Sequence, residues 1–497
     1  MSSGKNARKF AAMLPLLAVT ALFLLPNLWT AVLSLKDYSP VYGMANSAWV
    51  GLRNLTEFIQ TPAALPLILN TLRLWAIGLV GAMVFGLLAA LLVSLARSRG
   101  LSAVWAGLLL IPAFLPPVVW TTLSYRLAGL LGDDVKMTLF TQRYDLLYLL
   151  VSVPSRAALV GFAGAAWATA YHARSRKPSS GALKGALAGA CVCAMLPVDV
   201  ETIRMTYNPL SYKYADTLYT YTFRKGFLEG QYSQAAAAGI LALALQTILA
   251  AVFCAALILL IRHSTFAAGA ASAAGGANAA PTAKRDEKTA GWPWIVAGVF
   301  ALALLFANGL PDLGALQTDN LGYRLVAYLL AAVVTTTVGL IVILTARASR
   351  ICSSVCIALL CASSGVYIGL YMLLRMLGLI NTALAPAFSG VTMPGTLIFL
   401  VVIAVVMSFG TDSRAAVPAI GAAAAFALAR AIGAVDPTLV YMTQSSMASA
   451  GQRLYQTALA GPSEPGAAAA AYAAVLLPVL IFSFIGAFFA GKAVKQL

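Results

Sequence analysis

Charged side chains are scarce in this 497-residue chain, in which Asp, Glu, Lys and Arg together make up only 10% of the sequence. A soluble globular protein has about 25% charged residues. The deficit, together with a hydrophobic content of 61%, excludes an ordinary soluble fold. It predicts an all-α polytopic membrane protein, because a bilayer-spanning helix needs about 20 mostly apolar residues.

Residues that could perform catalysis or bind a metal are also few. The chain has two histidines, His172 and His263, and each lies beside the end of an apolar run. No Cys and His residues have metal-ligand spacing, and no GxxxxGK[ST] phosphate-binding loop is present. The six cysteines fall inside apolar runs and are interpreted as small packing residues. We therefore expect no catalytic residue, no metal, no cofactor and no ATP hydrolysis by this chain.

Acidic residues number 16 against 33 Lys and Arg, which gives a formal net charge of +17. In a soluble protein such an excess would suggest a nucleic-acid partner. In a membrane protein, the enrichment of Lys and Arg in cytoplasmic loops is the simpler cause, so we expect no nucleic acid. With a cytoplasmic N-terminus, the basic clusters fall inside and almost all acidic residues fall on the outer side. The pattern predicts that both termini are cytoplasmic.

About twelve apolar runs are long enough to be membrane spans, in two groups of six. Their approximate limits are Phe10–Leu35, Pro66–Leu95, Leu101–Tyr125, a fourth run ending near Tyr171, Gly181–Pro197, Ala235–Ile261, Trp294–Leu310, Leu325–Thr345, Ile351–Leu377, Thr392–Ser408, Ala415–Ile432 and Ala467–Ala490. The first run could instead be a signal peptide, but it is longer than the usual ~7–15 apolar residues and many spans follow it. In the fifth run, Gly181, Gly185 and Gly189 recur every four residues, which predicts close helix packing.

The two groups are separated by residues 263–292, which read HSTFAAGAASAAGGANAAPTAKRDEKTAGW. This segment has no large apolar residue between Phe266 and Trp292 and contains a cluster of charges. It is interpreted as a flexible cytoplasmic linker, and the alternative is a surface loop inside one domain. The linker would divide the chain into domains at 1–262 and 293–497.

Two outer segments resemble a known family. The first, Leu33–Phe58, reads LSLKDYSPVYGMANSAWVGLRNLTEF, and the second, Asn208–Ile240, reads NPLSYKYADTLYTYTFRKGFLEGQYSQAAAAGI. Both resemble segments of the membrane permeases of bacterial ABC importers for sugars and oligosaccharides. Asn70 and Thr71 stand where that family has an Asn-Thr pair opening its second span. The resemblance covers residues 1 to about 262.

The later part resembles the partner permease of such importers more weakly. Gly378–Thr382 is similar to the GLxNT of an outer loop in that family, and the C-terminal segment is similar to the family's ending. The resemblance implies two permeases fused in one chain of a bacterial plasma membrane. It also implies cytoplasmic ATPase subunits and an extracytoplasmic substrate-binding protein as partners, with the translocation path between the two halves.

The family's ATPase-docking loops carry an EAA motif followed by DGA, and here the matching places are altered. In the first half Lys184 replaces the acidic residue before Gly185 and Ala186, and in the second half Arg414 stands where Glu would be. Gly421 and Ala422 retain the small pair of the second loop. Either a partner ATPase has changed in a complementary way or the coupling has been lost. Alternatively, these are ordinary basic inside loops.

Polar residues at membrane depth are candidates for the substrate pathway. They are Asn70, Arg73, Gln246, Asn308, Arg375 and Asn381. Each could instead make interhelical hydrogen bonds or extend to the interface. Outer aromatic residues such as Trp49, Tyr212 and Tyr232 could stack on sugar rings, anchor the protein at the membrane interface or contact a binding protein.

Two other functions remain open. A twelve-span secondary carrier built from two six-span halves would need ion-coupling groups, and its spans often contain acidic residues. The predicted spans here hold almost no Asp or Glu, which counts against a carrier. A permease-derived scaffold without transport is the third hypothesis.

Overall fold

The computed structural model describes residues 2–96, 98–173, 177–274, 292–307, 321–348, 350–362, 364–392, 394–407, 413–435, 440–442, 444, 447–459 and 465–497. Within these ranges nearly all regular structure is helical, which confirms the predicted all-α class. The described strands are the short β1 (Lys36–Asp37) and β2 (Ala48–Trp49), which pair antiparallel.

Fourteen of the described helices precede residue 275. They are α1 (Ser2–Ser34), α2 (Gly43–Asn46), α3 (Arg53–Gln60), α4 (Ala64–Ser94), α5 (Arg99–Leu108), α6 (Ile111–Phe114), α7 (Pro117–Leu131), α8 (Asp133–Thr141), α9 (Tyr144–Ala173), α10 (Pro178–Ala194), α11 (Val200–Thr206), α12 (Tyr212–Ala215), α13 (Leu218–Phe223) and α14 (Tyr232–Ala274). A π-helical turn, Arg224–Leu228, follows α13.

The later helices begin at Trp292. They are α15 (Trp292–Phe306), α16 (Leu321–Ala348), α17 (Arg350–Ala362), α18 (Tyr367–Met376), α19 (Leu384–Thr392), α20 (Pro394–Met407), α21 (Ala416–Gly433), α22 (Ala450–Ala458) and α23 (Pro465–Lys495). A short 3-10 turn, Ser413–Ala415, precedes α21.

Seven of the described helices are long and apolar enough to cross a membrane, and the number rises to nine if each of two bent helix pairs forms one span. Large apolar side chains on these helices are exposed, for example Leu92 at 69% and Ile248 at 62%, as expected of a surface covered by lipid. The chain is therefore a multi-pass membrane protein. Three further predicted spans coincide with the shorter helices α10, α15 and α20, so the total of about twelve stays a prediction.

The predicted third and ninth spans are bent rather than continuous. Helices α6 and α7 meet at Leu115 and Pro116, and the bent pair formed by Arg99–Phe114 and Pro117–Leu131 turns by 78°. A proline lacks the N–H that continues a helix, which accounts for this break. Helices α17 and α18 turn by 86° near Gly365, whose φ of +90° suits glycine because it has no Cβ.

The start of the predicted linker continues a helix. Helix α14 runs through Ala274, so residues 263–274 are helical, and α15 begins at Trp292. The alanines of this stretch explain the difference, since Ala has the highest helix propensity. The rest of the predicted flexible segment, 275–291, lies outside the described residues.

The same helix pairings occur in the early and the late parts of the chain. Helices α4, α9 and α10 contact one another, as do α16, α20 and α21. The last long helix of each part contacts the fifth predicted span of its own part and the third span of the other, so α14 touches α10 and α17 while α23 touches α21 and α5. The two parts thus pack through reciprocal contacts.

Aromatic and small residues fill the junction between the parts. Phe399 of α20 and Phe426 of α21 are stacked with ring centroids 4.0 Å apart, and Phe114 of α6 meets both edge-on at 5.6 and 5.3 Å. Gly107 of α5 contacts the backbone of Ala487 in α23 so closely that no Cβ fits there. Such close packing of buried apolar surface holds the two parts together.

Candidate functional site

The second predicted outer segment is fastened to the start of α4. The Asn70 amide nitrogen donates to the carbonyl oxygens of Lys213 and Asp216, at 3.1 and 3.0 Å. The neighbouring Thr71 hydroxyl accepts a bond of 3.0 Å from the Leu218 N–H. These hydrogen bonds provide partners for two backbone carbonyl groups and for one N–H in the first turn of α13. They therefore position the segment on the span.

Arg73 lies one turn further along α4. Its guanidinium donates to the carbonyl oxygen of Tyr214 and forms an ion pair of 3.3 Å with Asp145 at the start of α9. Asn70 and Arg73 therefore both hold the outer segment in this structure, and their part in a substrate pathway stays a prediction.

The outer segment has its own fixed interior. Thr217 and Thr220 form a capping box at the start of α13. Arg224 forms an ion pair of 2.9 Å with Asp216 and donates to the Tyr207 hydroxyl. The capping box of α13 and the Arg224–Asp216 ion pair thus fix the conformation of the segment that resembles the permease family.

The remaining pathway candidates are dispersed. Gln246 of α14 donates to the Met195 carbonyl oxygen at 2.6 Å, which links two spans. Arg375 is exposed near the end of α18. Asn381 has a φ of 62°, and its N–H donates to the Tyr441 carbonyl oxygen at 3.1 Å. Asn308 lies outside the described residues.

The candidate docking residues of the first half lie within α10. Gly185 and Ala186 are buried, and a Cβ at Gly185 would lie 2.8 Å from atoms of Gly164 and Trp167 in α9. Gly181 and Gly189 meet α9 in the same way, which confirms the close packing predicted from their spacing. Lys184 is half-exposed, with its ammonium 5.9 Å from the Tyr171 ring.

The second candidate docking region lies at the start of α21. Arg414 is exposed in the 3-10 turn, as a residue that meets a partner must be. Gly421 packs against the ring of Phe489 in α23, where an added Cβ would lie 3.1 Å from the ring, and Ala422 is buried. The basic residues thus reach the surface while the small residues pack between helices. Their role in ATPase coupling stays a prediction.

Several charged residues near the junction are buried, although the sequence did not identify them as candidate functional residues. Glu201 of α11 is 5% exposed and accepts a hydrogen bond of 2.7 Å from the Val435 N–H at the end of α21. Arg156, at 4% exposure within α9, donates to the Pro197 carbonyl oxygen at 2.7 Å. A charged residue within an apolar run is costly in lipid. Arg156 interrupts such a run, and this position could have identified it from the sequence.

Two more arginines connect the parts of the chain. Arg204 of α11 lies with its guanidinium carbon 5.9 Å from the ring of Tyr455 in α22 and 5.2 Å from the ring of Phe223. Arg430 of α21 lies 3.5 Å from the Leu115 carbonyl oxygen. Together with Arg324, Arg430 also lines a small, mainly apolar cavity between α16 and α21.

A larger cavity opens where α7, α8 and α11 meet α22. It has a volume of about 740 Å³, within the range of small-molecule sites. Four aromatic residues line it, together with the charged pair Asp133 and Lys136 and with Asn208. The aromatic residues are Tyr125, Phe140, Tyr207 and Tyr455. We call it the outer cavity, since its wall contains the predicted outer connections; Tyr455 comes from the late part of the chain.

Metal chemistry finds no support in the described part of the chain. Three or more His, Cys, Asp or Glu side chains do not come together there in an arrangement that could hold a metal ion. The outer cavity is lined mainly by aromatic and other uncharged residues, with Asp133 and Lys136 as its charged members.

Comparison with known proteins gives an informative relative. A scan against protein families finds no match for this chain. The chain is similar to the polygalacturonan/rhamnogalacturonan transport system permease protein YteP of Bacillus subtilis (strain 168), with 25% identity over 258 residues. The matched region covers 46% of this chain and 80% of the relative. The similarity supports a sugar-transport permease at the family level.

Proposed function

We propose that this chain is the transmembrane permease component of an ABC-type importer of oligosaccharides. The similarity to a polysaccharide-transport permease is the observation that carries the proposal. It agrees with the multi-pass helical architecture and with the outer segment, Asn208–Ile240, fastened to α4. The chain supplies the path through the membrane between its two halves.

The proposal includes both permeases of the importer in one polypeptide. Most of the relative corresponds to less than half of this chain, which leaves room for a second permease. The reciprocal helix contacts of the early and late parts support this division, because two similar subunits around an approximate two-fold axis would make them. Residues 1–262 and 293–497 are the two proposed halves.

Two kinds of partner complete the proposed importer. Cytoplasmic ATPase subunits supply the energy, since the chain has no phosphate-binding loop of its own. An extracytoplasmic binding protein delivers the saccharide. The location is the bacterial plasma membrane with both termini inside, as the distribution of Lys and Arg favours.

Purification and reconstitution test the proposal. The tagged full chain, isolated from its native membrane into nanodiscs, should retain a protein with a GxxxxGK[ST] loop and ATPase activity. Proteoliposomes containing this complex and the binding protein should accumulate digalacturonate when ATP is present. Uptake by the purified chain alone, driven by an ion gradient, would instead show a secondary carrier. Normal insertion with neither ATPase association nor uptake would show a scaffold.

A further inference from the structure

We propose that the outer cavity is a saccharide-binding site in which the rings of Tyr125, Tyr207 and Tyr455 stack against the faces of pyranose rings. The choice of a saccharide rests on the proposed function. The location and the binding groups rest on the geometry of the cavity itself.

Tyr207 is held as a rigid platform. Its ring stacks on Tyr212 with centroids 4.3 Å apart and an interplanar angle of 19°. Arg224 donates to its hydroxyl and is fixed in turn by Asp216. Burial raises the pKa of the Tyr207 phenol, and the nearby Asp216 carboxylate raises it further, so the group is neutral at physiological pH. Binding against such a ring costs little ordering entropy.

Tyr125 is fixed by two neighbours that also line the cavity. Phe140 meets its ring edge-on at 5.5 Å, and the Lys136 ammonium lies 3.8 Å from the ring centroid. Asn208 fixes the wall beside them, because its amide donates to the Phe140 carbonyl oxygen at 3.1 Å and accepts from the N–H groups of Leu210 and Ser211. This side of the cavity is therefore preorganised.

Tyr455 completes the cavity from the other part of the chain. The guanidinium of Arg204 lies 5.9 Å from its ring, at the distance of a cation–π contact. Helix α22 also contacts α7, which carries Tyr125. The cavity thus forms at a junction between the early and the late part, where relative movement of the parts would change its width.

The chemistry of the wall favours a sugar over a purely apolar molecule. A pyranose ring has apolar C–H faces, which pack on aromatic rings, and hydroxyl groups at its edges, which need hydrogen-bond acceptors. Asp133 is an exposed carboxylate at the start of α8 and can accept such bonds. A volume of about 740 Å³ has room for more than one sugar ring.

Saturation-transfer NMR on the full chain in nanodiscs tests this site, with digalacturonate and neutral galactobiose as probes. Glucoside and maltoside detergents are excluded because they carry sugar rings. Irradiation of aromatic protons should transfer saturation to the C–H protons of at least one probe. Tyr455→Ala should weaken binding about tenfold, the loss expected of a central aromatic contact. Tyr455→Phe keeps the ring and should bind within about twofold of the unmodified chain.

Tyr42→Ala is the matched control, since Tyr42 is 67% exposed elsewhere on the outer side and does not line the cavity. Equal thermal stability of the three variants would exclude misfolding. Absence of saturation transfer for both probes, or equal binding by Tyr455→Ala, would overturn the site. If the Tyr455→Ala variant co-purifies with an ATPase and shows normal uptake, the proposed function is supported and the proposed binding site is contradicted. If probe binding depends on Tyr455 but no ATPase co-purifies, the proposed site is supported and the proposed importer function is contradicted.

Discussion

The Glu201 carboxylate accepts a hydrogen bond of 2.7 Å from the backbone N–H of Val435, a residue 234 positions later in the chain. Both residues are buried, so neither the carboxylate nor the amide can exchange this bond for water. It joins α11 of the early part to the end of α21 in the late part. A buried hydrogen bond between the two parts should help to keep the two proposed halves associated.

Removal of the Glu201 acceptor should weaken that association. Glu201→Leu would remove the acceptor of this buried hydrogen bond from the Val435 N–H, at a cost of about 1–3 kcal/mol, whereas Glu201→Gln retains an oxygen that can accept the bond. The measurement uses a protease site inserted between Gly276 and Ala283 and follows co-elution of the two fragments on heating. Fragments of the unmodified chain should co-elute, and those of Glu201→Leu should separate at a lower temperature. Equal separation temperatures for all three proteins would contradict a role for this bond.

A larger side chain at Gly185 should destabilise the chain. Gly185→Leu would force α10 away from α9, because even an added Cβ would lie only 2.8 Å from atoms of Gly164 and Trp167. Overpacking of this kind costs about 1–3 kcal/mol. Gly298→Leu is the matched control, since Gly298 lies in α15 with open space around it. Heating followed by size-exclusion chromatography should show a lower midpoint for Gly185→Leu alone, and similar midpoints would refute the packing argument.

Charge reversal at the candidate docking residues should weaken ATPase association. Lys184→Glu and Arg414→Glu together should have more effect than either alone, because exposed ion pairs contribute only about 0–1 kcal/mol each. Added salt should weaken the native complex, since such pairs are screened over about 10 Å. Arg53→Glu serves as control, with a side chain 69% exposed on the predicted outer side.

The readout is the amount of ATPase retained by equal amounts of inserted chain. Unchanged retention and uptake in the double variant, with normal insertion, would exclude these residues as the coupling site and favour a scaffold.

Labelling of new cysteines should reveal the orientation. Ser179→Cys is expected to react with an impermeant maleimide only in inverted vesicles, and Val41→Cys only in intact cells, because Lys and Arg mark the cytoplasmic side. Both positions are exposed, Val41 at 88%. The described native cysteines are buried or half-buried and should add little background. Reaction of Ser179→Cys in intact cells would contradict the predicted topology.

The apolar pattern predicted most of the helices. The predicted span Pro66–Leu95 corresponds to α4, Ala64–Ser94, because in lipid a run of apolar residues has few structures other than a helix. The same pattern cannot show a bend, so Leu101–Tyr125 was predicted as one span although Pro116 and Pro117 break it. It also missed the helical start of the linker, since a run of alanines buries nothing and still favours a helix.

The candidate site was less predictable than the fold. Asn70 could be selected as a polar residue in a span, but its acceptors at Lys213 and Asp216 lie more than 140 residues away. Glu201 lies between the predicted spans Gly181–Pro197 and Ala235–Ile261, and nothing in its sequence neighbours indicates the contact with Val435. Likewise, Tyr125 and Tyr455 share a cavity only through tertiary packing, which one sequence does not encode in any local pattern.

Because a single chain supplies all the walls of the outer cavity, the number of complete cavities in a cell follows the amount of this one protein. These walls come from selected residues between Tyr125 and Leu210 and from Tyr455 and Leu459, all on one polypeptide. If the same walls belonged to separate subunits, the fraction of complete cavities would follow the concentrations of both and the strength of their association. Here the covalent connection sets a high effective concentration, so every folded molecule carries a complete cavity even when the protein is rare.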